Sequence, residues 1–366
     1  MKILYDHQVF SLSKYGGASK YFCELMKHLP QDYNFELSLL FSNNQHLKDN
    51  WKFFKKINFP IPQKESRIRG RLKAKSYQLN NLYSRRIISS NNYNLFHPTY
   101  FNSYFLKYVK KPYIVTVHDL IAFRYKDLYK NENLRVQMTE IIVNARRIIS
   151  ISENTKKDLV EILHVDPTKI DVIHHGFNRP NSSSILRSHD YGRYILYVAA
   201  RWGYKNFKTL AVAFSNLIRE DSELKLICVG PPFSQEETAE LKKLKIWEKS
   251  IAIGVNEETL NYLYAHALAF VYPSLYEGFG MSILEAFANN CPVCLSNSSS
   301  LPEVAGDAGV YFDPKDPDSV LHSIKKVIYD PEFSRRIIEA GNKRLDNFSW
   351  QKCTDETLKS YKKAVL

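Results

Sequence analysis

Short apolar runs alternate with helical patterns along the whole chain. In the first half, apolar runs at 2–5, 35–41, 113–117, 147–151 and 171–173 interleave with 3.6-residue periodicity at 20–28, 136–144 and 154–163. After the polar stretch Asn178-Arg-Pro-Asn-Ser-Ser-Ser184 the alternation restarts. Strands are expected at 194–199, 224–229, 251–253, 269–272, 293–295 and 310–312, and helices at 210–217, 236–244, 259–265 and 283–289. Strand-helix-strand alternation implies parallel sheets with helices on both faces, an α/β architecture. Because it occurs twice, the pattern predicts two doubly wound domains, 1–180 and 190–345, followed by a helix over 346–366 that crosses back to the first. Ligands of such sheets bind beyond the carboxyl ends of the strands, so two of these domains facing each other create a cleft.

Composition narrows the class. A chain of 366 residues with 44% hydrophobic and 24% charged residues has the make-up of a folded protein, which excludes a disulfide knot, a peptide hormone and a disordered tract. The apolar run at 266–272 is far shorter than the roughly 18–20 residues of a membrane span, and reads as a core strand. The start Met1-Lys-Ile-Leu-Tyr-Asp6 lacks the longer apolar stretch of a signal peptide, so a cytoplasmic protein is expected. Five scattered cysteines give no disulfide framework. Cys291 and Cys294 have CxxC spacing, but no second ligand pair accompanies them, and they read as structural.

The charge is uneven. Of a net +13, residues 51–150 carry 20 Lys and Arg against 5 Asp and Glu, and the remainder of the chain is slightly acidic. The densest part lies at 64–86, where Lys64, Arg67, Arg69, Arg71, Lys73, Lys75, Arg85 and Arg86 interleave with Leu72, Tyr77, Leu79, Leu82 and Tyr83. This stretch is either a solvated helical face or a basic amphipathic surface held on anionic lipid. Nucleic acid is the weakest reading, since no zinc finger, RNP1-like aromatic motif or helix-turn-helix pattern accompanies the charge.

One segment carries chemistry. Residues 271–285 predict a strand, a loop containing Glu277-Gly278-Phe279-Gly280, and a helix that starts near Met281 and bears Glu285. The glycines let backbone approach a ligand, and the following helix start offers N–H groups to an anion such as a diphosphate. Glu285, one turn inside the helix, can accept two hydrogen bonds from a vicinal diol, and Glu277 can take sugar hydroxyls. Two carboxylates beside a diphosphate need cations, and Arg201 and Lys205, after the strand at 194–199, are placed to supply them.

These features resemble the retaining glycosyltransferases of family four, which have the GT-B fold of two Rossmann-like domains. The likeness runs along the whole chain. Glu277 and Glu285 match the family's paired glutamates eight residues apart, and Arg201 and Lys205 match its diphosphate-binding pair. Tyr15-Gly16-Gly17-Ala18 is similar to its glycine loop beside the donor phosphate, and Thr116-Val-His118-Asp119-Leu120 to the segment whose histidine lies by the transferred sugar. Ile149-Ser-Ile-Ser-Glu-Asn154 and Val172-Ile-His-His-Gly-Phe-Asn178 fit the family's strand-helix and interdomain signatures. Phe96-His97-Pro98-Thr99 together with Val117-His118-Asp119 looks most like the mannosyltransferase B-like subgroup of O-polysaccharide assembly. The chain departs from the family where Ile253-Gly254-Val255-Asn256 is one residue short, and where Trp202-Gly203-Tyr204 replaces a proline-containing spacer.

The resemblance implies transfer of a hexose, first mannose from GDP-mannose, to a hydroxyl of a growing, lipid-linked surface glycan at the inner face of the membrane. It implies catalytic roles for His118, Arg201, Lys205 and Glu277. Donor binding falls to Gly16, Gly17, Arg201, Lys205, Gly254, Val255, Glu277, Gly278, Phe279, Gly280, Met281 and Glu285, and acceptor contacts to His97 and Asp119, with His97 equally readable as a packing residue. No metal or other cofactor is expected. Asp316-Pro-Asp318 has the spacing of a metal-binding Asp-x-Asp, but its proline and the helical pattern after it suit an N-cap. Rival readings are a transferase using a UDP-sugar, an epimerase or phosphorylase of the same fold, and a non-catalytic polyanion-binding protein.

Overall fold

The computed structural model describes residues 1–50, 52–54, 67–180 and 191–366, with 67–72 as backbone only. Lys64, the linker residues 181–184 and the side chains of Arg67, Arg69, Arg71 and Leu72 therefore lie outside the described residues. Among those described, twelve strands are β1 Lys2–Asp6, β2 Asn34–Ser38, β3 Leu95–His97, β4 Ile114–Val117, β5 Arg147–Ser150, β6 Ile170–Val172, β7 Tyr194–Val198, β8 Lys225–Val229, β9 Ser250–Ile253, β10 Ala269–Tyr272, β11 Val293–Ser296 and β12 Gly309–Phe312. The α-helices are α1 Gln8–Leu12, α2 Gly17–Lys27, α3 Gln45–Asp49, α4 Arg67–Ser89, α5 Ile121–Arg124, α6 Glu132–Asn144, α7 Glu153–Leu163, α8 Phe207–Leu217, α9 Gln235–Lys243, α10 Glu257–His266, α11 Met281–Ala288, α12 Leu301–Ala305, α13 Pro317–Ile328, α14 Pro331–Arg344 and α15 Trp350–Val365.

The chain divides into two units, one of residues 1–176 with 349–366 and one of 177–348. In the first, parallel strands run β2-β1-β3 and β4-β5-β6, joined by a parallel bridge between Phe96 and Tyr113. Strand periodicity sorts the side chains. Ile3, Tyr5, Leu95, Ile114 and Ile149 enter one core with Phe22 of α2 and Trp350 and Tyr361 of α15. Leu4, Phe96, Val115 and Ile148 enter the other with Ile88 of α4, Met138 of α6 and Leu159 of α7. Sequence reasoning missed β3.

Helix α15 starts on a Ser349 N-cap and packs its first turn over Gly176. A Cβ at Gly176 would stand 2.4 Å from both the N and the Cα of Trp350. Only glycine permits that approach. Helix α4 buries polar side chains alongside Ile88. It buries Asn80, whose side chain accepts from the N–H groups of Leu40 and Phe41 and donates to the Phe41 carbonyl, and Ser84, which donates to the Ser38 carbonyl. Outward it presents Leu79 and Leu82, the latter 59% exposed, among exposed Lys73, Lys75 and Arg86.

The second unit is one parallel sheet of order β12-β11-β10-β7-β8-β9. One face, with Ile195, Tyr197, Leu226, Cys228, Val271 and Cys294, packs on α8 and α13. Cys294 and Cys291 are buried and unpaired by any disulfide, as expected of structural residues. Asp316 accepts from the Asp318 N–H with Pro317 at the first helical position, so it caps α13. The strand order reverses between β7 and β10, and the carboxyl ends of those two neighbours are where a doubly wound sheet opens a crevice.

Candidate functional site

At that reversal the loops after β7 and β10 are tied together. Leu275 donates its N–H to the Tyr204 carbonyl at 2.7 Å, and Asn206 donates its side-chain amide to the carbonyls of Pro273 and Pro314. Asn206 adopts a left-handed conformation (φ 56°), which ends the short turn at 203–205 and starts α8. Across this join, Lys205 Nζ donates to Glu277 Oε1 at 2.7 Å, the two side chains being 19% and 10% exposed. Glu277 is held from behind, its N–H donating to Ser299 Oγ and its carbonyl accepting from Ser300, which also reaches the Phe279 carbonyl. Burial, and after it the Glu277 carboxylate, holds the Tyr272 phenol well above its ordinary pKa, so a neutral hydroxyl lies beside the pair.

The loop continues through Gly278, Phe279 and Gly280, all buried. Gly280 has φ 107° and leads into α11, and a Cβ there would stand 3.0 Å from Ile283 and Leu301 side chains. Phe279 turns its ring edge-on to Phe348, so what it offers a ligand is backbone. Glu285, on α11 beyond Met281, accepts from the Tyr264 hydroxyl at 3.3 Å. Gly254 and Val255 lie at the carboxyl end of β9, two strands beyond β7 on the same edge, about 10 Å away at sheet spacing.

Arg201 departs from expectation. Rather than facing the two glutamates beside Lys205, it pairs with Glu237 of α9, Nε donating to Oε1 at 2.9 Å. Nη2 donates to the carbonyls of Pro231 (2.6 Å) and Pro232 (2.9 Å), and the ring of Phe233 lies 4.6 Å from the guanidinium carbon. The side chain is 1% exposed, yet Nη1 makes no hydrogen bond among the described residues. An unpaired buried donor costs about 1–3 kcal/mol, which an acceptor oxygen would recover. Among the described residues, the cation paired with Glu277 is Lys205.

The remaining candidates lie in the first unit. Gly16 and Gly17 are exposed at the start of α2, and a Cβ on Gly17 would meet nothing within 4 Å, so local packing does not demand glycine there. His118 follows β4, edge-on to Tyr21 and stacked on His175 at 5.4 Å, with Nε2 buried and without a hydrogen-bond partner among the described residues. Burial lowers its pKa to about 4, so the ring is neutral at pH 7. Asp119 accepts from the Ile121 N–H at the start of α5.

His97 is corrected. It is fully buried, with Nδ1 on the Tyr361 hydroxyl (2.7 Å), Nε2 on the Thr116 hydroxyl (3.0 Å) and a pKa lowered to about 3 by burial. Both nitrogens are engaged inside the core, so it packs and does not meet an acceptor.

Sequence reasoning missed Glu237, Ser299, Ser300 and Tyr272. Only Glu237 left a trace, the Ser-x-x-Glu spacing of a capping box at 234–237, and that motif says nothing of Arg201.

Residues 15–179 match the model of Glycosyltransferase Family 4, and residues 178–344 that of Glycosyl transferases group 1. The chain belongs to the family-four glycosyltransferases. This glycosyltransferase is 29% identical over 266 residues to O-antigen chain mannosyltransferase B of Escherichia coli, covering 68% of its own length and 70% of the relative. It is 27% identical to the O-antigen chain mannosyltransferase RfbU of Salmonella typhimurium over 60% of this chain and 61% of that one. Among solved structures it is similar to Anabaena HepE in complex with UDP and glucose, with a TM-score of 0.75, 16% identity and 99% of both chains covered. A glycosyltransferase from Rickettsia africae matches with a TM-score of 0.71 at 18% identity, over all of this chain and 98% of that one. The fold of the glycosyltransferase is GT-B, and its relatives include mannosyltransferases of glycan assembly. Among the described residues no helix is long and apolar enough to cross a membrane.

Proposed function

We propose that the protein is a retaining hexosyltransferase that moves mannose from GDP-mannose to a hydroxyl of a growing, lipid-linked surface glycan, without a metal. The observation that carries the reading is the Lys205–Glu277 contact at the reversal of strand order, a cation and a sugar-binding carboxylate on the two loops that flank the donor position. The mannosyltransferase relatives support the sugar.

As the glycosidic C–O bond breaks, positive charge grows on the sugar ring and negative charge on the diphosphate. Lys205, Arg201, the open start of α2 at Gly16 and Gly17 and the start of α11 after Gly280 stabilise the latter. Glu277 holds sugar hydroxyls, Glu285 the ribose diol, and neutral His118 contacts the sugar near its reacting carbon. The acceptor oxygen attacks from the face the diphosphate leaves and passes its proton to the departing phosphate oxygen, which preserves the anomeric configuration. Gly254 and Val255 flank the base.

The exposed face of helix α4, with Leu79 and Leu82 among Lys73, Lys75 and Arg86, supports attachment to an anionic membrane through 64–86. A thermal-shift panel of GDP-, UDP-, dTDP- and ADP-sugars tests the donor. GDP-mannose is expected to give the largest stabilisation, and a larger shift with a UDP-sugar would reassign the base. NMR of the product's anomeric proton tests retention, and turnover undiminished by EDTA tests independence from metal.

A further inference from the structure

We propose that Glu237 is a positioning residue of the donor site. It fixes the plane of the Arg201 guanidinium, so that the remaining nitrogen, Nη1, is the donor offered to the leaving diphosphate. The proposal rests on the reading of Arg201 as a diphosphate ligand.

A guanidinium is a rigid planar fork, so fixing two of its nitrogens sets the direction of the third. Here Nε is taken by Glu237 Oε1 (2.9 Å), and Nη2 by Oε2 of the same carboxylate (3.3 Å) and by the carbonyls of Pro231 and Pro232. The Phe233 ring lies against the guanidinium. Nη1 is left over, buried and unpartnered, beside Gly230. A Cβ on Gly230 would stand 2.9 Å from the Ala199 carbonyl oxygen and 3.4 Å from Nη1. The approach to the Ala199 carbonyl excludes a side chain at that position, next to the unpartnered nitrogen.

Glu237 also closes the capping box of α9. Its Oε2 accepts from the Ser234 N–H at 2.7 Å while Ser234 Oγ accepts from the Glu237 N–H at 3.1 Å, so the carboxylate is itself immobilised. The ion pair brings no net charge to the site. Arg201 thus contributes a directed hydrogen bond rather than a net charge.

Ser234 separates this role from helix capping, because Ser234→Ala opens the box without touching Arg201. The experiment measures thermal midpoint and steady-state release of GDP from GDP-mannose, or of the nucleotide of whichever donor the panel selects. Glu237→Ala is expected to lower kcat about 30- to 100-fold with little change in donor KM, and to add nothing in an Arg201→Ala background. Glu237→Gln, which keeps an acceptor for Nε, is expected to recover most of that loss, and Ser234→Ala to keep kcat within about twofold of wild type despite a lower midpoint. Equal kcat losses in Ser234→Ala and Glu237→Ala would overturn the proposal, as would an unimpaired Glu237→Ala beside an Arg201→Ala crippled about 100-fold. An unimpaired Arg201→Ala would instead remove the diphosphate reading beneath it.

Discussion

Replacing Lys205 with alanine separates stability from catalysis. The pair it forms with Glu277 is 2.7 Å long and mostly buried, and removal leaves a carboxylate with little water around it. Breaking a fully buried pair costs about 3–5 kcal/mol; partial exposure at this site reduces that to about 2 kcal/mol. For a unit of this size the loss lowers the thermal midpoint by roughly 4–8 °C. Turnover should fall further, about 10²- to 10³-fold in kcat, because Lys205 also meets charge that develops on the diphosphate. Pairing Lys205→Met with Glu277→Leu removes both charges and fills the space with apolar atoms, an exchange that is often neutral for stability. The double variant should therefore regain most of its midpoint, read by differential scanning fluorimetry, and remain inactive in a nucleotide-release assay. If it turns over at more than about a third of the wild-type rate, the pair is a fold element and the assignment of the donor site is wrong.

Other perturbations probe other links. His97 and His118 have folded pKa values of about 3 and 4, below the ordinary value, so the unfolded chain binds more protons between pH 6.5 and 4 and stability falls as pH drops through that window. Urea unfolding at pH 7.5 and pH 5 should differ by about 2 kcal/mol per histidine, and a His97→Gln variant that keeps the full pH slope would contradict the assignment. Gly176→Ala puts a methyl 2.4 Å from the Trp350 backbone and should destabilise the first unit by several kcal/mol, seen as loss of soluble protein or early unfolding; an unaltered midpoint would mean that α15 docks differently. Liposome pelleting should require anionic lipid, weaken with salt and drop about tenfold in Leu79→Ser/Leu82→Ser, whereas salt-insensitive or absent binding would leave α4 a solvated face.

Much of the fold could be read from periodicity, because buried parallel strands repeat their apolar runs and the helices between them hold a regular face. What escaped included β3, the helix α14, and the buried Asn80 and Ser84 of α4, which serve backbone on distant segments. In the candidate site, Glu277 and Lys205 were legible because glycines and strand ends frame them. Arg201 was legible as a cation, but its partner was not, since Glu237 is 36 residues away and meets it only after two strands have been laid side by side. His97 shows the reverse failure. A histidine at a strand end looks accessible until Tyr361, 264 residues later, is found on its ring nitrogen.

That same tyrosine bears on how the chain is made. The unit of residues 177–348 is inserted between two parts of the other, so a ribosome completes it while its host still lacks 349–366. Until those residues emerge, the pocket for Trp350 and Tyr361 stands open, and the Tyr5 hydroxyl and His97 Nδ1 lack the Tyr361 hydroxyl that they bond. Nascent chains halted near residue 348 should hold a finished guest domain beside a sticky, unsealed host, a natural client for a chaperone.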